Sequence, residues 1–172
     1  DASMSSKKAR TWVPTVTTAV AVAALSVPLA AGVANASPVT ADVPAACATA
    51  PVSDRAKPVV AFACDMASKK ANAKDLPGNS PYSIRFIAAA WKEAGVTFEN
   101  TGSEVRFYSS FKGDRKPGDK AIPGDVVFKQ YGDSRYLSLG VYVGDGKVAE
   151  VFGNGEIKIG PMAYVYQART PE

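Results

Sequence analysis

From residue 126 onward the chain is a succession of short β-branched and aromatic runs separated by glycine-centred turns, and this half leaves little choice of fold. Val126–Lys129, Tyr136–Val143, Lys147–Phe152, Glu156–Ile159 and Ala163–Gln167 read as strands. Gly144-Asp145-Gly146 and Gly153-Asn154-Gly155 fall between them and supply the positive-φ positions that tight hairpins need. Links this short join antiparallel neighbours, so the expectation is a meander of about five strands.

The preceding segment has helical rather than strand periodicity. Ser53 or Asp54 is placed to cap a helix running to about Lys70, with Pro58 in its first turn, where proline is tolerated. The turn-rich stretch Asp75–Pro81 leads into a second helix, from about Ser83 to Ala94, stopped by Gly95. Ser83, Phe86, Ile87, Ala90 and Ala94 share one face of it. A short third helix is expected from Glu104 to Phe111. Helices first and strands after predict an α+β domain with the helices packed on one side of an antiparallel sheet.

The first 52 residues stand apart. Lys7, Lys8 and Arg10 precede an apolar run from Ala19 to Gly32, broken by Pro28 and closed by Ala34-Asn35-Ala36. This is the pattern of a secretory signal peptide, residues 1–36, cleaved after Ala36, with residues 1–3 a short extension ahead of Met4. The run is short and proline-interrupted, so stable membrane insertion after cleavage is not expected. Residues 37–52, with Pro38, Pro44 and Pro51 among alanines, read as an extended leader, and 53–172 as the folded domain.

Export, to the exterior or to the cell wall, has two consequences. Cys47 and Cys64 are the only thiols and enter an oxidising compartment, so a disulfide is expected. Subtracting Lys7, Lys8, Arg10 and Asp1 from 20 basic and 16 acidic residues leaves 17 and 15, a net charge of +2. A nucleic-acid partner is therefore not expected, because phosphate binding needs a concentrated basic face.

The chain contains no histidine. Cys/His zinc clusters, Ser-His-Asp triads and Cys-His dyads are excluded, and no metal or cofactor is expected.

Three segments carry a family resemblance: Tyr82-Ser-Ile-Arg-Phe-Ile-Ala-Ala-Ala-Trp-Lys-Glu-Ala-Gly-Val96, Pro123-Gly-Asp-Val-Val-Phe128 and Leu139-Gly-Val-Tyr-Val-Gly144. In this order they resemble the landmark segments of papain-like bacterial cell-wall peptidases and amidases, of the NlpC type or the CHAP type, over residues 54–170. The resemblance implies a papain-like α+β fold and a peptidoglycan or other cell-envelope ligand. In that family a nucleophilic cysteine opens the helix and a histidine opens the strand. Their positions fall here on Ser83 and Ser138, and the third, orienting residue on Glu150 in the NlpC-type spacing or near Asn154 in the CHAP-type spacing.

Nucleophile and base are thus both replaced. A serine hydroxyl needs an adjacent general base to attack an amide; Ser138 is none, and a carboxylate such as Glu150 is a weak partner for an alkoxide. The expected function is binding in a groove walled by Tyr82, Trp91 and Tyr142 without hydrolysis. Two other readings stay open: an active hydrolase using Ser83, and a secreted protein-interaction or inhibitor module using the fold as scaffold. Ser83 has a further reading as a simple N-cap, Ser138 as a filler of imidazole space, and the three aromatics as core.

Overall fold

The computed structural model describes Cys47, residues 50–132 and residues 137–172. The expected signal peptide, most of the leader and the first residue of the strand expected at Tyr136 lie outside the described residues. Those described belong to one unit, Pro38–Glu172.

Among the described residues, three α-helices precede an antiparallel sheet. Helix α1 spans Lys57–Ser68, with Pro58 in its first turn, and buries Val59, Val60, Ala63 and Cys64. Neither Ser53 nor Asp54 is its cap residue. Ser53 instead closes the turn ahead of it, its carbonyl accepting from the amides of Ala56 and Lys57 at 2.9 and 3.0 Å. The disulfide joins Cys47 to Cys64 on α1, with the two Cα atoms 5.8 Å apart.

Helix α2, Tyr82–Lys92, starts one residue earlier than expected, with Pro81 at its cap position. Ser83 is therefore inside the first turn and makes no N-cap, and its side chain is left for other bonding. The buried face is Ile84, Phe86, Ile87, Ala90 and Trp91. Beyond its end Gly95 takes φ +77, and the Val96 amide reaches back to the Trp91 carbonyl at 3.0 Å, a glycine C-terminal closure. Helix α3, Glu104–Ser110, is capped by Ser103, whose hydroxyl accepts from the Arg106 amide at 3.3 Å.

The sheet has six strands, not five: β1 Gly113–Pro117, β2 Val126–Gln130, β3 Leu137–Gly144, β4 Lys147–Val151, β5 Ile157–Pro161 and β6 Val165–Pro171. Their spatial order is β1-β6-β2-β3-β4-β5. The meander holds only from β2 to β5. After β5 the chain crosses to the far side of β2, where β6 pairs Val126 with Arg169 and Val127 with Ala168, and β1 adds outside it. Strand β1, Gly-Asp-Arg-Lys-Pro, carries no apolar alternation, so nothing in its pattern marks it as a strand. Its backbone pairing with β6 does the work.

Alternation sorts the strands into two faces. Val126, Phe128, Leu139, Val141, Val143, Ala149 and Ile157 join the helices in the main core. Val127, Val148 and Ala168 form a smaller cluster on the opposite face with Ala121, Tyr142, Met162 and Val165. Gly124 seats α2 against the turn into β2: at φ +98, a Cβ there would lie 2.6 Å from the Ala56 Cβ, and its carbonyl accepts from Trp91 Nε1 at 3.1 Å. No described helix is long and apolar enough to cross a membrane.

Candidate functional site

The start of β3 and the end of β4 lie at one end of the sheet, and the first turns of α2 and α3 meet them there. The result is an open pocket of about 320 Å³ lined by Pro81, Tyr82 and Ser83 from α2 and its cap, Glu104 from α3, Leu137 and Ser138 from β3, and Val151, Phe152 and Gly153 from the end of β4. Its volume falls in the range of small-molecule sites. Ser83 and Ser138, 55 residues apart in sequence, are thus brought to one cavity.

Inside it the Ser83 hydroxyl donates to Glu104 Oε1 at 2.9 Å. Ser83 gains this partner because Pro81, not a serine, occupies the cap position, which turns the residue-83 side chain toward α3. Glu104 is the one ionisable carboxylate in the lining, and among the described residues it has no cation partner. Tyr82 and Phe152 contribute the aromatic rings of the lining. Arg85 lies 5.3 Å and Lys74 6.0 Å from the Tyr82 ring centroid, and Lys158 5.4 Å from that of Phe152.

The other expected site residues lie elsewhere. Glu150 sits opposite Gly140 on the far sheet face, where Lys129 donates to its Oε1 at 2.7 Å and both side chains are almost wholly buried. The space for it exists because residues 140 and 160 are glycines: a Cβ on Gly160 would stand 2.9 Å from Glu150 Oε1. Glu150 is therefore neutralised by an ion pair and does not line the pocket. Asn154 also lies outside the lining. Its Oδ1 accepts from the Glu156 amide at 3.0 Å, shaping the β4–β5 turn, and its carbonyl accepts from Asn72. Lys158, bonded to Glu156, and the Asn154 amide hold that carboxyl below the usual glutamate range.

Two of the three expected groove aromatics are corrected as well. Trp91 is core, 1% exposed, because its indole bridges α2 to the Gly124 carbonyl. Tyr142 belongs to the far-face cluster, and its hydroxyl accepts from the Gly146 amide at 3.2 Å. Only Tyr82 stands at the pocket.

Two residues that matter here had no motif to announce them. Glu104 reads in sequence as an ordinary first-turn acid of a short helix, and nothing in the pattern ties it to Ser83, 21 residues earlier. Lys129 had a signal: a lysine ending the otherwise apolar run Val126-Val-Phe128, in phase with Val127 on the far face, where a buried charge needs a partner. Among the described residues no group of three His, Cys, Asp or Glu side chains is arranged to hold a metal ion.

No protein-family model matches the chain, and no curated protein matches it. Among solved structures its fold is similar to a Staphylococcus aureus subsp. aureus Mu50 protein described as similar to lipoprotein, NLP/P60 family. The identity is 14% and the TM-score 0.47, over 73% of this chain and 45% of that one. The chain thus spans less than half the length of that neighbour.

Proposed function

We propose that this domain is a catalytically silent counterpart of the papain-like cell-wall peptidases, exported from the cell, which holds a peptidoglycan peptide in the pocket between α2 and β3 without cleaving it. One observation carries the reading. The hydroxyl at the nucleophile position is bonded to a carboxylate, across a pocket from a second hydroxyl at the base position, in a chain whose two cysteines are joined to each other. No imidazole or thiolate exists to activate an attack. The pocket remains open and hydroxyl-lined, which supports donation to and acceptance from a peptide backbone. The disulfide supports export, since such bonds persist in oxidising compartments.

The hydrolase alternative draws on the same Ser83–Glu104 bond, read as a nucleophile and its acceptor. Incubation of the protein with insoluble peptidoglycan separates the two. Co-sedimentation that survives moderate salt, with no new soluble fragments, is expected. Release of fragments that stops in Ser83→Ala would establish the hydrolase. Absence of co-sedimentation at any salt would leave the domain as a scaffold for a secreted protein partner.

A further inference from the structure

Among the described residues that line the pocket, Glu104 carries the one formal charge, and it has the same sign as the oxyanion that amide hydrolysis develops. An acyl-transfer site stabilises a developing oxyanion with donors. Here the first turn of α2 faces Glu104, half-buried and already accepting from Ser83. A first-turn acid on a short helix is ordinary when it points to solvent. Glu104 instead lines a cavity, and no lysine or arginine among the described residues forms an ion pair with it. Of the cations beside the lining rings, Arg85 Nε donates to the Ser80 carbonyl at 2.7 Å and Lys158 pairs with Glu156 at 2.9 Å, while Lys74, 6.0 Å from the Tyr82 ring centroid, forms no ion pair with Glu104.

The acceptors in the lining also make a set. With the Ser83 O–H committed to its hydrogen bond with Glu104, the lone pairs of that oxygen are left to accept. Ser138 brings a second hydroxyl and Glu104 its carboxylate, so three side-chain acceptors share one small cavity whose lining includes Tyr82 and Phe152. A primary ammonium has three N–H donors, one positive charge and no acceptor, and a carboxylate with hydroxyl acceptors matches it.

We propose that the pocket recognises a primary ammonium group of its ligand, with Glu104 as the counter-charge and Ser83 and Ser138 as neutral acceptors. This deepens the reading of the pocket as a non-hydrolytic peptide site: it specifies the part of the ligand that is held. The ammonium can belong to a peptide amino terminus or to a diamino side chain, and the chemistry at Glu104 is the same for both.

The test titrates the full chain, followed by NMR, with three probes: L-alanyl-L-alanine amide, which has a free α-amine; Nα-acetyl-L-lysine amide, which has only a side-chain amine; and Nα-acetyl-L-alanine amide, which has none. At least one amine probe should bind, and at least roughly tenfold more tightly than the blocked probe, as expected for losing a charge-assisted hydrogen bond. Which amine wins assigns its source. Glu104→Gln keeps the acceptor for Ser83 and removes the charge, so the preference for the amine should disappear. Equal binding of blocked and free probes, binding by none, or an unchanged preference in Glu104→Gln would overturn the proposal. Should Glu104→Gln fail to fold, the wild-type comparison of probes and Ser83→Ala, expected to weaken the amine probe alone, still decide it. Peptidoglycan binding that is indifferent to Glu104→Gln removes this inference and leaves the broader one. Amine binding without peptidoglycan binding does the reverse.

Discussion

Among single residues, Glu150 illustrates how a position can be placed correctly on a strand and serve a different purpose. It lies on β4, opposite Gly140, yet its carboxylate is consumed by Lys129. A buried pair of this kind is costly to break and cheap to replace whole. Glu150→Ala should therefore destabilise the domain by about 3 kcal/mol or more, because it strands the Lys129 ammonium. The double change Lys129→Met with Glu150→Leu should recover most of that loss. Urea unfolding measures both, and a neutral Glu150→Ala would show that the pair is not load-carrying. Lys129 could have been suspected from sequence, since a lysine in phase with apolar strand positions is buried and needs a partner. Which carboxylate supplies it depends on pairing β2 and β4 across β3, which no local pattern encodes. Glu104 is less legible still, because its contact with Ser83 depends on how two helices meet.

At the level of elements, α3 governs the pocket, and the far end of α3 is held by a buried arginine. Arg169 on β6 donates through Nη1 to the carbonyls of Tyr108 and Phe111 at 2.9 and 3.1 Å, and its guanidinium lies 4.1 Å from the Tyr108 ring centroid. It thereby satisfies carbonyls that the C-terminus of a short helix leaves open. Arg169→Met preserves bulk but removes these bonds. It should cost roughly 2 kcal/mol and raise amide exchange across α3, with the Ser83–Glu104 contact loosening as a result. Unchanged exchange in α3 would show that the helix is held by its aromatic packing alone. The disulfide acts on α1 in a comparable way. Closing a separation of 17 residues, it should contribute about 3 kcal/mol, read as a drop in the denaturation midpoint on reduction. No drop would mean that the segment at Cys47 is held by packing without the bond. The helices and the β2–β5 meander were legible because their apolar periods are strong. Strand β1 was not, since its polar sequence is recruited by the edge of β6, and the position of β6 beside β2 is a long-range choice that turn chemistry does not make.

For the whole molecule, the order helices-then-strands places the first turns of two helices against one end of a sheet, and that meeting point is the pocket. In this chain it holds two serines and a carboxylate, with histidine absent throughout and both cysteines bonded to each other. The central claim is that the pocket binds and does not cut. It is tested most directly by adding a soluble peptidoglycan stem peptide to the isotopically labelled protein and following both partners in one sample by NMR over days. The account predicts saturable shifts at Ser83, Glu104 and Ser138 while the peptide resonances remain those of the intact ligand. Appearance of cleaved peptide at a rate abolished by Ser83→Ala, or shifts confined to residues outside the pocket, would contradict it.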